Sequence, residues 1–319
     1  MAIPVEHKSS PDAGLENQGA SAAKKLAPAA MAVSEASSAH VVSGIQAIAV
    51  GVGLLAAFWP VVLSIYGSWF DERSYMEHGI LVVPAAVYMA WAKRDKLAAT
   101  LPRPSLYWGV GLLFWGALQA VLGVLMEWAW LSRTAFLVSF IGCIALVYGL
   151  PMIKELAYPL CTLVLMIAPP NFVFERLTLQ LQLLASRLGA AALEALGYSV
   201  LREGNVLEMV GIKLSVEEAC SGIRSLVAIL FMCVLYNYFF VEKKSMRVWI
   251  LVLAIPIAIL GNAVRIVATG IAGQYNHAWV SGATHEAFGY VSVVAAAIGC
   301  IGVHMALLRL EKMREGRHA

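Results

Sequence analysis

The chain has 319 residues, of which 60% are hydrophobic and only 13% charged, with a formal net charge of +3. A soluble globular chain carries about 25% charged and 45–50% apolar residues, so a water-soluble fold would have to expose large apolar patches, and the mean hydropathy of +0.75 places the chain in lipid. The basic residues sit in short clusters between apolar runs, a pattern that orients membrane helices and speaks against a nucleic-acid surface.

Residues 1–42 are rich in Ala, Ser, Pro and Lys without a sustained apolar run, and they read as a disordered cytoplasmic tail. The first apolar stretch starts too late and is too long for a signal peptide. Crossing about 30 Å of hydrocarbon takes roughly 20 helical residues. That ruler places spans near 43–66, 79–92, 106–126, 130–150, 155–168, 220–240, 247–270 and 286–308, the second and fifth being short. The expected fold class is therefore an all-α polytopic membrane protein of about eight transmembrane helices. It carries a small extracytoplasmic helix and β-hairpin insertion over 169–219, within a transmembrane domain of 43–310, and ends in a basic cytoplasmic tail, 311–319.

Loop charge supports the even count. Lys93, Arg94, Lys96 and Arg103, then Lys154, then Lys243, Lys244 and Arg247, then Arg309, Lys312, Arg314 and Arg317 fall on one side together with the N-terminal lysines. The outer loops 67–78 and 271–285 hold only Arg73. By the positive-inside rule both termini are cytoplasmic.

The long outer segment opens with Pro169-Pro170, which stops the fifth span. Residues 171–196 read as an amphipathic helix with Phe174, Leu177, Leu181, Leu184 and Leu188 on its apolar face, fit to lie in the interface or cap the bundle. Residues 198–216 have Gly-Asn and Val-Gly breaks and near-alternating polarity, which predict one or two short β-hairpins leading straight to Cys220. No internal repeat is visible.

Five cysteines show no CxxC pair and no Cys/His metal spacing, so neither a disulfide framework, a metal nor another cofactor is implied. Cys143, Cys161, Cys233 and Cys300 lie within apolar runs, where a thiol is a small hydrophobe. Cys220 differs, since Val216-Glu-Glu-Ala-Cys-Ser-Gly-Ile-Arg-Ser-Leu226 is a cluster of polar and small residues where an outer loop becomes a helix. A thiol at a helix N-terminus near cations has its pKa lowered toward neutrality, and Arg224, four residues on, shares its helix face. A packing cysteine beside a helix start, with Glu217 and Glu218 favouring that start, fits the position equally well.

Arg265 is the second anomaly, a charge in the outer part of a long apolar run, with Asn262 one turn earlier. Either it faces the bundle interior or it snorkels to the outer headgroups. His285 follows the cap-like Ser281-Gly-Ala-Thr284 and opens the last helix on the same side. His277 is a competitor without that context, and His78 begins the second span on the outer side in a secondary or structural role. A thiol nucleophile needs a proton-transfer partner and a cation for developing negative charge, and Cys220, His285 and Arg265 would meet at the outer face.

Glu218-Ala-Cys-Ser-Gly-Ile-Arg-Ser-Leu226, Asn262-Ala-Val-Arg-Ile266 and the later His285 resemble the three signature blocks of the exosortase/archaeosortase family. The hairpin region and His78-Gly79 also look typical, and the resemblance runs from about residue 45 to 310. It implies a membrane cysteine peptidase-transpeptidase, sortase-like in chemistry on an unrelated fold, in the bacterial inner membrane. Its substrates would be exported proteins with a C-terminal Pro-Glu-Pro-type motif, a transmembrane helix and a basic tail, in systems that accompany exopolysaccharide production. It implies Cys220, Arg265 and His285 as the catalytic set. Two other readings stay open: a non-enzymatic export component or transporter with Arg265 lining a path, and a hydrolase acting on lipid or glycan. No matched pair of broken helices favours a transporter, and no GxSxG elbow favours a serine hydrolase.

Overall fold

In lipid the backbone must satisfy its own hydrogen bonds, and long apolar segments do so by coiling into helices. The computed structural model describes residues 44–71, 75–216, 222–280 and 282–318, apart from the side chains of 278, 280, 282–286 and 314–318. The first half contains α1 (Gly44–Ala57), α2 (Trp59–Ser68), α3 (Gly79–Ala92), α4 (Arg94–Ala99), α5 (Leu106–Leu125) and α6 (Ala129–Val147). Next come α7 (Leu150–Leu163) with a 3-10 turn (Val164–Met166), α8 (Asn171–Ala195), and strands β1 (Val200–Glu203), β2 (Val206–Met209) and β3 (Ile212–Ser215). The chain closes with α9 (Ile223–Phe240), α10 (Lys244–Tyr275), a second 3-10 turn (His277–Val280) and α11 (Gly282–His318).

The protein is an all-α polytopic membrane protein. Among the described residues, five helices are long and apolar enough to cross a membrane, or seven when each bent pair is one span. The expected first span is such a pair, α1 and α2 meeting at 71°. Pro60, in the first turn of α2, has no N–H to give the carbonyl of Ala56, so the straight helix is interrupted there. The second bent pair joins α7 to α8 at 79°. The expected second span, α3, has 14 residues, about 21 Å of helix. It packs beside α7, also of 14 residues, so two short helices lie together.

The apolar face read for α8 is not the face it buries. Its buried residues are Thr178, Gln182, Ala185, Ser186, Gly189, Ala190 and Leu193, while Leu177 and Leu184 are exposed. In a membrane protein lipid is as apolar as leucine, so small and polar residues make the helix–helix contact and leucines turn outward. α5 follows the same logic, burying Gly109, Gly116 and Gly123 against α6.

The strands form one antiparallel sheet in the order β1-β2-β3, with Leu201 opposite Glu208 and Leu207 opposite Leu214. Alternation puts Leu207, Met209 and Leu214 on one face, where they pack with Ala185, Ala190 and Leu193 of α8 and Ile266 of α10. Gln274 Nε2–H donates to Val210 O (3.1 Å) and His277 Nε2–H to Gly211 O (2.8 Å), fastening the β2–β3 turn to the end of α10. The sheet thereby marks one end of the bundle, hereafter the sheet end.

Candidate functional site

At 32 residues α10 is about 48 Å long, more than a bilayer core needs, and its last turns project beneath the sheet. Its buried face includes Ala258, Asn262, Arg265, Ile266, Thr269 and Gly273. Arg265 is 7% exposed and Asn262 3%, so the guanidinium is turned inward and does not lie along the lipid-facing surface.

Two neighbouring helices reach this face through glycines. Gly222, the N-cap of α9, has φ 78°, a left-handed conformation that side chains disfavour. A Cβ there would sit 2.8 Å from Asn262 Nδ2 and 2.9 Å from its Cγ. On α11, a Cβ at Gly289 would sit 3.4 Å from Arg265 Nη1. Thus the start of α9 and the first part of α11 touch residues one turn apart on α10. The crevice beside Gly222 and Asn262 measures only about 10 Å³, room for no more than a water.

Cys220 and Glu218 lie outside the described residues, but the chain is fixed on both sides of 217–221. Upstream, Val216 N–H donates to Asn205 O (2.9 Å), and Asn205 Nδ2–H donates to Val216 O (3.1 Å). Downstream, Gly222 rests on Asn262. His285 belongs to α11, four residues before Gly289 and on the same side of the helix; its side chain is outside the described residues.

Arg224, in the first turn of α9, places Nη2 3.2 Å from Glu77 Oε1 and its guanidinium carbon 5.1 Å from the centre of the Tyr75 ring. Both charged side chains are more than a third exposed, so the ion pair is worth little by itself and serves to tie the first turn of α9 to residues 75–78. His78 is engaged elsewhere. Its Nε2–H donates to Leu165 O (3.1 Å) and its ring lies 6.1 Å from that of Phe231. Burial pushes the imidazole below its ordinary pKa of 6.5, against a smaller upward pull from the Leu165 bond. His277 holds the sheet turn. Among the described residues no three His, Cys, Asp or Glu side chains converge as metal ligands would.

Beyond Tyr75 the sheet end opens into a groove of about 1000 Å³ between the end of α2, the α5–α6 turn and the α7–α8 junction. Tyr75 stacks on Phe174 (5.5 Å, 13°), and Trp128 lies against Trp130 (5.5 Å). Arg133, Thr178 and Gln182 complete the walls. Sequence reasoning passed over Tyr75, Glu77 and Arg133. The criterion that picked out Arg265, a charge inside an apolar run, applies equally to Arg133.

A family model described as transmembrane exosortase (Exosortase_EpsH) matches residues 69–302. The chain belongs to the transmembrane exosortase family. Neither the curated proteins nor the solved structures contain a match to it. The matched region of this exosortase runs from Trp69 to Gly302, so it takes in the groove, the sheet, the 217–222 junction and the Arg265 and His285 helices, and leaves the N-terminal tail outside.

Proposed function

We propose that this exosortase is a membrane cysteine peptidase-transpeptidase that cleaves C-terminal Pro-Glu-Pro-type sorting signals of exported proteins at the outer face of the bacterial inner membrane. The observation that carries the reading is the convergence on α10. Gly222, two residues after Cys220, abuts Asn262, and Gly289, one turn after His285, abuts Arg265. Family membership supports the same class of chemistry.

In this reading the Cys220 thiolate attacks the carbonyl carbon at the scissile bond. The position just before α9 favours the anion through the helix N-terminus. Arg265 donates to the oxyanion that develops, and the buried site strengthens that interaction relative to water. His285 gives a proton to the departing amine as the C–N bond breaks, leaving a thioester. It then takes a proton from the incoming nucleophile, which expels the thiolate and regenerates Cys220. Asn262, Glu218 and Arg224 support this arrangement, and the substrate's transmembrane helix lies against the bundle with its basic tail inside.

The test is co-expression with a substrate carrying such a signal, followed by mass spectrometry of its mature C-terminus. Cys220→Ala should abolish processing, and Arg265→Gln should slow it about 10²- to 10³-fold, the loss expected for one oxyanion donor. Normal processing by Cys220→Ala would return the protein to the class of non-enzymatic export components.

A further inference from the structure

The groove beside Tyr75 has features that the cleavage chemistry does not use. Arg133 sits one turn into α6 and is half-buried. Its Nε and Nη2 donate to Ser64 Oγ (3.3 and 3.0 Å), and Nη2 also donates to Ser64 O (3.2 Å). These bonds hold one edge of the guanidinium. Among the described residues no carboxylate lies within ion-pair distance of it, and Nη1 makes no hydrogen bond. An anchored, planar cation with unused donors at a groove wall is preorganised for a carboxylate.

A second observation is independent of charge. Thr178, on the α8 wall, is only 7% exposed, and its Oγ has no hydrogen-bond partner among the described residues. A buried polar atom left in that state costs about 1–3 kcal/mol, so the α8 wall carries an unmet hydrogen-bonding demand where it lines the groove. Gln182, one turn further along the same wall, is equally buried. The aromatic pairs Tyr75–Phe174 and Trp128–Trp130 supply flat apolar walls on either side. Grooves lined this way take proline-containing segments, whose extended helix is preformed and loses little entropy on docking.

The groove is also connected to the proposed site. Tyr75 stacks on Phe174 and also has the Arg224 guanidinium over its ring, and Arg224 is four residues after Cys220. A chain leaving the groove past Tyr75 therefore reaches the Arg224 guanidinium in the first turn of α9. We propose that this groove binds an extended, proline-containing segment of the protein substrate, with Arg133 reading its carboxylate side chain. The inference rests on the peptidase reading above and assigns the specificity-determining residue for it. Asp71, Glu127 and Glu175 also line the groove, but they are exposed and screened over about 8 Å. They favour a single carboxylate placed on Arg133 over a polyacidic ligand. A phospholipid phosphate would also pair with Arg133, but it would use neither Thr178 and Gln182 nor the aromatic pairs.

The experiment uses the full chain in nanodiscs with two substrates that differ only in Pro-Glu-Pro against Pro-Gln-Pro. The wild type should prefer the glutamate substrate through KM by roughly 10- to 100-fold, the range of a charge-assisted hydrogen bond. In Arg133→Gln that preference should collapse, with KM rising far more than kcat falls. Arg133→Lys, which keeps a cation without the fork, should fall between. Arg133→Glu should recover preference for a Pro-Lys-Pro substrate, which a merely structural arginine would not allow. Cys220-dependent cleavage without glutamate preference would overturn the groove assignment alone, as would equal losses on both substrates. So would an Arg133 effect that follows only the anionic lipid content of the nanodisc. Absence of Cys220-dependent cleavage would instead overturn the peptidase reading, and this assignment with it.

Discussion

A side chain at Gly222 would meet two obstacles that can be separated. One is the backbone, because φ 78° is costly for any residue with a Cβ, by about 1–2 kcal/mol. The other is Asn262, whose Nδ2 would lie 2.8 Å from the new carbon. Gly222→Ala should therefore lose at least that 1–2 kcal/mol in unfolding measurements, and adding Asn262→Ala should restore only the steric share. An unchanged stability would mean that the segment entering α9 relaxes out of the left-handed conformation. Legibility at this scale followed how local each signal was. Arg265 stood out because a charge in an apolar run can be recognised one residue at a time. Gly289 did not, because its importance depends on which side chain of another helix faces it.

Among the elements, α8 shows that an apolar stripe does not by itself say which face meets protein. Its leucines repeat at helical spacing and mark an apolar face fit for the interface or for capping the bundle; in the structure Leu184 is exposed and Ser186 is fully buried. Ser186 Oγ–H is shared between Leu183 O and Gly204 O, each at 3.0 Å, which joins the helix to the β1–β2 turn. The pattern was readable, but the solvent facing it was not. Ser186→Leu should accordingly destabilise the protein by about 1–3 kcal/mol through overpacking and loosen the sheet from α8. Leu184→Ser, which reads as the more severe change on an amphipathic wheel, should be nearly silent in detergent. Comparing the two variants by unfolding and by proteolysis of the 198–216 region checks the assignment, and the reverse order of severity would refute it. The bend at Pro60 was legible in principle, since proline inside an apolar run signals a kink. The short α3 was legible in length and ambiguous in meaning, because 14 residues fit both a thin span and a buried core helix.

For the whole molecule the open geometrical question is how the bundle sits in the membrane. Opposite the sheet end, Lys93 caps α3, Lys244 starts α10, and Lys243 pairs with Glu311 of α11 at 2.8 Å, so the basic clusters gather at one end. In the proposed orientation, which the positive-inside rule supports, that end is cytoplasmic and the sheet end extracytoplasmic, where an exported substrate could reach the groove. α3 bears on this orientation, because its 14 residues are about 9 Å short of a 30 Å core. Crossing beside the equally short α7 would require a locally thin bilayer, at a modest cost per ångström of mismatch. Single cysteines, placed one at a time in a chain whose five native cysteines are replaced, would decide both points. Val210→Cys, at a sheet turn position that is 78% exposed, should react with a membrane-impermeant maleimide in intact cells. Asp95→Cys, just beyond α3, should react only after permeabilisation. Asp71→Cys, exposed just before α3, should label from outside like Val210→Cys, and labelling of Asp71→Cys and Asp95→Cys from the same side would mean that α3 does not cross, leaving the seven-span arrangement. The reversed pattern would turn the bundle over and put the groove in the cytoplasm, where no exported substrate could be processed.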